Sequence, residues 1–331
     1  MMVFSATFMV KYAPLLDVKV FDITENIRRR TLAAKSKGTA LAEYALLRAA
    51  CAVFNAIPYP LACAMAKGFA WFLVNIAWFK RERTFGRIKG CFPEKTDKEV
   101  RRIAVMSLSN VLMSAVEMIR AASLDRKWIE AHVKDVHVYA DRLKAIADEG
   151  KGVVIMVPHS GNWYMAAWAM ARCGVPLFAI AAKQRNPYID AWMNRQYGEG
   201  LDVVERGSAR VMAEIKARLS KGQCFAILPD LRVPSKDVEV PFLNGMANVS
   251  HGGASFATAV GAPIVVAIMR REGGKHVFDH LGTLRPDPSV PRKEDSIRLT
   301  RETMALLDAA IQKTPEHWFW YNKRWILQPV H

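Results

Sequence analysis

Five short runs of β type in the second half of the chain, each separated from the next by a helical pattern, limit the fold more than any other feature. They are residues 153–157, 177–182, 203–205, 224–228 and 264–269. All are too short for a helix, and proline, glycine or charged residues close most of them, as at the ends of buried strands. Helical patterns follow the first four, over 164–172, 187–197, 209–220 and 253–260. Strands alternating with helices predict an α/β fold, a central and mostly parallel sheet with helices on both faces. Upstream, Val136 to Val138 reads as a further short strand, and 140–149 as a helix ending at Gly150. Residues 97–122 carry apolar side chains at helical spacing, with Thr96 or Asp97 as the N-cap.

The N-terminal half has another character. Residues 41–79 are rich in Ala, Leu, Phe and Trp, are interrupted by Pro58 and Pro60, and run into Lys80-Arg81-Glu82-Arg83. The part after the prolines, 61–79, just reaches the length of a bilayer span if it is all helix. Lys67 and the many alanines favour a pair of amphipathic, apolar helices lying in the interface instead. Trp71 and Trp78 then sit near headgroup depth and the basic cluster meets anionic phosphates. Residues 1–10 are apolar but follow no basic region, so no secretory signal is expected. These patterns divide the chain into an N-terminal extension (1–40), a helical membrane-associating region (41–130) and an α/β core (131–331).

Charge narrows the partners. With 47 Lys plus Arg against 31 Asp plus Glu, the chain carries +16, which suits nucleic acid or an anionic membrane surface. The basic residues are dispersed and no groove-reading motif stands out, so no nucleic acid is expected. The five cysteines are scattered without a CxxC pair and read as reduced thiols facing the cytosol. No ligand cluster suggests a metal.

Ligands of such a sheet gather at the carboxyl ends of its strands. Three apolar runs end there in polar groups: His159 in GVVIMVPHSGNW, Lys183 and Arg185, and Asp230 in ILPDLR. A histidine at that edge has the pKa of a general base, and a carboxylate on one ring nitrogen fixes its tautomer and supports its charge. An ordinary loop histidine and a loop-capping aspartate remain the plain alternative. Ser160, adjacent to His159, is a candidate substrate contact but lies in no nucleophile elbow. Ser208 and Arg210, in ERGSAR, mark either an anion site at a helix start or a simple cap. Arg206 is a candidate contact for a carrier or headgroup.

Taken in order, GVVIMVPHSGNW, KQRNPYIDAWMNR, ERGSAR, ILPDLR with VEVPFLNG, GAPIVVAIMRREGG and the terminal HWFWYNKRW resemble the bacterial lipid A biosynthesis acyltransferases, in particular the mannoside acyltransferase branch. The resemblance runs from about Leu41 to Trp325. It implies a glycerolipid acyltransferase-like fold and transfer of a fatty acyl chain from acyl carrier protein or coenzyme A to a hydroxyl of a membrane glycolipid. Such an enzyme needs no cofactor beyond its donor and works on the cytoplasmic face of the bacterial inner membrane. His159 matches the family's histidine, with Asn162 and Trp163 beside it in the substrate-binding turn. Asp230 matches a second carboxylate of the mannoside branch.

One position departs from the pattern. The family's motif places Asp or Glu five positions after its histidine, and this chain has Tyr164. A phenol, with a pKa of about 10, holds no negative charge at neutral pH, although it is able to hydrogen-bond to an imidazole. The resemblance further places Arg232, Asn244, Asn248 and Ser250 near the acceptor or the reacting carbonyl. Backbone N–H groups around Gly161 and the helix start, or a cation such as Arg185 or Arg232, are the expected donors to the oxyanion. A phospholipid or amino-lipid acyltransferase with the same base, or a non-catalytic lipid-binding relative, is the alternative. Trp318, Trp320 and Trp325 suit a membrane interface or core packing, with packing favoured.

Overall fold

The structure is a computed structural model that describes residues 37–181, 183–197, 201–205 and 210–328. Most of the N-terminal extension, together with Arg206 and Ser208, lies outside these residues. Helices α1 (Lys37–Ala56) and α2 (Tyr59–Asn75) meet at Pro58 and bend by 117°, as a proline junction permits. Helix α2 has 17 residues and stops at Asn75, so the 61–79 stretch is not one continuous span-length helix. Helix α3 (Arg81–Cys91) follows. Helix α4 (Asp97–Ile119) starts with a capping box, in which Thr96 and Glu99 satisfy each other's backbone N–H groups. Among the described residues α4 alone is by itself long and apolar enough to cross a membrane, but 67% of its apolar window is buried within the protein. It is a core helix.

After α5 (Arg126–His132), α6 spans Val136–Ala147. The expected strand at Val136 to Val138 is therefore the first turn of a helix. Its valine–histidine–valine alternation mimics a strand, but Val136, Ala140, Leu143 and Ala147 recur at helical spacing and are buried together. The remaining elements are β1 (Val153–Met156), α7 (Trp163–Arg172), β2 (Leu177–Ala181), α8 (Pro187–Tyr197), β3 (Leu201–Glu205), α9 (Val211–Leu219) and β4 (Cys224–Ile227). They are followed by β5 (Val238–Phe242), β6 (Gly245–Val249), α10 (Gly252–Val260), β7 (Ile264–Glu272), β8 (Lys275–Leu284) and α11 (Arg292–Lys313).

Six strands form one sheet in the order β3-β2-β4-β1-β7-β8, parallel throughout except for β8 at the edge; β5 and β6 form a separate hairpin. Strand β1 is buried on both sides. Val154 and Met156 join a core built with α2, α4, α10 and α11, while Val153 and Ile155 join one built with α5, α6 and α7. That alternation follows from the two-residue period of a strand and explains why β1 reads as an unbroken apolar run. All five cysteines are free thiols.

Candidate active site

Register brings the two principal residues together. Strands β1 and β4 are parallel neighbours with Met156 opposite Ile227. His159 lies three residues beyond Met156, and Asp230 three beyond Ile227. The two loops therefore leave the sheet side by side, at the carboxyl edge where open α/β sheets bind their ligands. His159 Nδ1 is 2.7 Å from Asp230 Oδ1, and both side chains are 1% exposed. Asp230 Oδ2 accepts the backbone N–H of His159 at 2.7 Å and the indole N–H of Trp318 at 2.8 Å. Burial opposes charge on Asp230, but the His159 ring and these donors prevail and hold its carboxyl below the usual range.

This arrangement fixes the tautomer. An ionised carboxylate only accepts hydrogen bonds, so Nδ1 carries the proton and Nε2 of a neutral ring carries the lone pair. Nε2 is buried and has no hydrogen-bond partner. The hydroxyl of Ser160, the next residue, is also buried and unpartnered. Trp163 closes one side of the imidazole edge-on, with ring centroids 5.0 Å apart.

The turn after His159 is held on several sides. Gly161 has φ +58, and a Cβ there would lie 2.4 Å from the carbonyl oxygen of Met269 on β7, so only glycine fits without displacement. Asn162 caps α7 by accepting the N–H of Met165. The C-terminal segment runs alongside: Gly161 N–H donates to His317 O and Phe319 N–H to His159 O, both at 2.9 Å. Gly161 N–H is therefore already occupied, which removes it from the candidate oxyanion donors and leaves those of the helix start. Trp318 and Trp320 are buried, in line with packing, and Trp318 also serves the site through Asp230.

A second polar group backs this turn, and the sequence reading missed it. Helix α4 carries Ser107, Asn110, Ser114 and Glu117 on one buried face, at spacings of three and four. Ser107 donates to Trp318 O and Asn110 to Glu316 O, while Ser114 donates to Asn110 O at 2.7 Å with Gly161 O a longer second contact at 3.3 Å. Glu117 is fully buried. It receives Arg271 at 2.7 and 2.8 Å, Tyr59 at 2.6 Å, His276 at 3.1 Å, and the amide of Asn162. Its carboxyl lies well below the usual range: burial opposes the charge, but His276 and Arg271 outweigh it. Burial also drives His276 down, against the pull of Glu117, and Arg271 brings a positive charge directly to the carboxylate. A glutamate in the last turn of an apolar helix, flanked by Val116, Met118 and Ile119, was the available signal.

The other predicted residues are spread more widely. The ring of Tyr164 lies against Trp163 and Trp168. With Nδ1 on Asp230 and Nε2 unpartnered, orientation of the imidazole falls to Asp230 rather than to Tyr164. Lys183 and Arg185 are exposed beyond β2, which β4 separates from β1; Lys183 stands 3.9 Å from Glu205. Arg232 is half-buried just beyond Asp230, and Arg210 is exposed before α9. Asn244 does not reach the His159 turn. It occupies the β5–β6 turn with φ 60, beside Leu243 with φ 44, and donates to Gly90 O, so its place follows from turn geometry. Asn248 closes the loop after Asp230 by donating to Val233 O and Ser235 O. Ser250 accepts the N–H of Gly252 at the start of α10.

Fold and site together are those of an α/β acyltransferase, and similarity to known proteins narrows the class. A model of the bacterial lipid A biosynthesis acyltransferase family matches residues 34–326, so the chain belongs to that family. It is similar to a phosphatidylinositol mannoside acyltransferase of Mycolicibacterium smegmatis, 25% identical over 258 residues, covering 74% of this chain and 78% of that one. A protein of the same description from Mycobacterium tuberculosis is 24% identical over 281 residues, covering 77% and 83%. A lipid A biosynthesis acyltransferase 2 of Shigella flexneri is 30% identical over 132 residues, covering 38% and 41%.

Proposed function

We propose that the protein transfers a fatty acyl chain from a carrier thioester, acyl carrier protein or coenzyme A, to a hydroxyl of a membrane glycolipid, with His159 as general base. The observation that carries this reading is the buried His159–Asp230 pair with Nε2 unoccupied. Nε2 removes the acceptor hydroxyl's proton as the oxygen attacks the thioester carbonyl. Asp230 stabilises the imidazolium that forms. Collapse of the tetrahedral intermediate breaks the C–S bond, and the departing thiolate takes the proton back from Nε2. No acyl-enzyme is needed. The oxyanion is assigned to the start of α7, at the same sheet edge, apart from the N–H of Met165 that Asn162 already holds.

The same reading places the protein on the cytoplasmic face of the inner membrane. Nine of the twelve large apolar side chains exposed among the described residues belong to 41–78, so apolar exposure concentrates on α1, α2 and the turn after them. Trp71, Phe72, Ile76 and Trp78 lead directly into the basic cluster, and the Arg81 guanidinium sits 4.4 Å over the Trp78 ring. A sharply bent helix pair with aromatics and cations together suits the interface of an anionic bilayer. Flotation with anionic vesicles, lost on replacing Trp71 and Trp78 by serine, supports this placement; a chain that ignores such vesicles rejects it.

The decisive test incubates wild type and His159→Ala with labelled acyl thioesters and total membrane lipid. Label entering glycolipid with wild type alone supports the reading. Neither transfer nor His159-dependent donor hydrolysis would instead favour a non-catalytic relative, the alternative that Tyr164 raises.

A further inference from the structure

Glu117 is a buried carboxylate that touches none of the reacting groups, yet four side chains from four elements converge on it. Tyr59 comes from the first residue of α2, Asn162 from the cap of α7, Arg271 from β7 and His276 from β8. Net stability is a weak reason to build such an arrangement. A buried ion pair is often no better than apolar side chains of equal volume, because desolvation offsets the attraction. Such a network does fix positions, since every member has a directional partner.

What it fixes is the turn that carries His159. Asn162 uses its oxygen to cap α7 and its amide to reach Glu117. One helical turn earlier on α4, the Ser114 hydroxyl, bonded to Asn110 O at 2.7 Å, lies 3.3 Å from Gly161 O. Helix α4 thus grips residues 161 and 162 from behind. Near the same end of α4, Arg120 donates to the carbonyls of Phe54 and Ile57, which ties the α1–α2 bend to the same framework.

The geometry points to Glu117 as a positioning residue for acyl transfer, holding Asn162 so that the turn keeps Nε2 of His159 aimed at the acceptor hydroxyl. This rests on the reading of His159 as the base. Displacement of a reacting group by about 1 Å costs on the order of 100-fold in rate, so a loosened turn is visible in kcat.

Asn162→Ser separates the two tasks of Asn162, because serine is a good N-cap but cannot extend an amide to Glu117. The variant is expected to fold, to lose roughly 10- to 100-fold in kcat and to keep its donor KM. Glu117→Gln is expected to behave likewise, and the double variant to be no slower than the slower single one, because the two residues act as one unit. Wild-type kcat in Asn162→Ser, or losses that multiply, would overturn the assignment. If Glu117→Gln does not fold, Asn162→Ser decides alone. A second readout needs no turnover: the downfield proton resonance of His159 Nδ1–H, assigned by its loss in His159→Ala. It is expected to shift or broaden in Asn162→Ser, and an unchanged resonance overturns the proposal. Should wild type transfer no acyl group, the functional reading fails while the resonance still decides whether Glu117 positions the turn.

Discussion

Trp318 and His159 share one acceptor: the indole N–H of Trp318 and the backbone N–H of His159 both reach Oδ2 of Asp230, at 2.8 and 2.7 Å. Oδ1 is thereby left to the imidazole. The division matters because a buried carboxylate with only one donor is free to rotate, and the His159 ring would rotate with it. The C-terminal segment therefore completes the site from 88 residues away.

Trp318→Phe keeps most of the packing and removes that donor. A hydrogen bond to a charged group contributes about 1.5–3 kcal/mol, so the variant should unfold more easily in urea by about that amount. The carboxyl of Asp230 should also rise toward its ordinary value. A depressed carboxylate stabilises the fold above its unfolded pKa, and that contribution disappears as pH falls through the folded value. Stability of the variant should therefore fall less on acidification than that of wild type, and its acid limb should level off at a higher pH. Coincident acid limbs would show that Trp318 only packs.

Asp230→Asn tests the tautomer. An amide in that place can present N–H to the ring and favour the proton on Nε2, which removes the base. The loss expected is about 10³- to 10⁴-fold in kcat, as for a comparable substitution in a Ser-His-Asp triad, with donor KM little changed. Steady-state kinetics with a labelled thioester measure both. A loss of only a few fold would move the orienting role elsewhere, Tyr164 being the nearest candidate in sequence.

Much of the frame is visible in the sequence because it depends on local pattern. Apolar runs that stop at His159 and Asp230 mark two strand ends, and the shared register of β1 and β4 then places both residues together. The β5–β6 hairpin is passed over as loop, although Val238, Val240 and Phe242 alternate with Glu239 and Pro241 at the two-residue period of a strand. Val136 misleads because β-branched residues fit either element over three positions, and only the longer spacing to Ala147 decides. Glu117 and Trp318 escape for a different reason. Their roles depend on partners far along the chain, Arg271 and Asp230, and no local periodicity encodes a tertiary pairing. The polar face of α4 was present in the sequence, but an apolar count passes over it.

Gly161→Ala should damage fold and site together. The left-handed φ of +58 is strained for alanine, and the added Cβ would meet Met269 O at 2.4 Å, a backbone atom that cannot swing aside. Overpacking of this kind costs about 1–3 kcal/mol, and relief requires the His159 turn to lift from β7. Urea unfolding should show the destabilisation, and acyl transfer should fall in the material that remains folded. A fully stable and active Gly161→Ala would mean that the turn has another arrangement.

Acid should expose the stored charge of Glu117. Its folded carboxyl is held well below its ordinary value of 4.5: burial opposes the charge, but His276 and Arg271 more than offset it. The stabilisation is therefore fully present above the unfolded pKa and is lost as pH falls below about 4.5 toward the folded value. Breaking a buried ion pair from one side costs about 3–5 kcal/mol, because the remaining charge stays buried without a partner. Glu117→Gln should thus be less stable than wild type by about 3 kcal/mol or more near neutrality. Because glutamine does not titrate, the gap should stay flat down to about pH 5 and narrow on further acidification as wild type loses its advantage. Urea denaturation of both proteins across pH 3–7 measures it. A gap that stayed constant through the acid range would mean that folding does not depress the Glu117 carboxyl and that its bonds to Arg271 are not those of an ion pair.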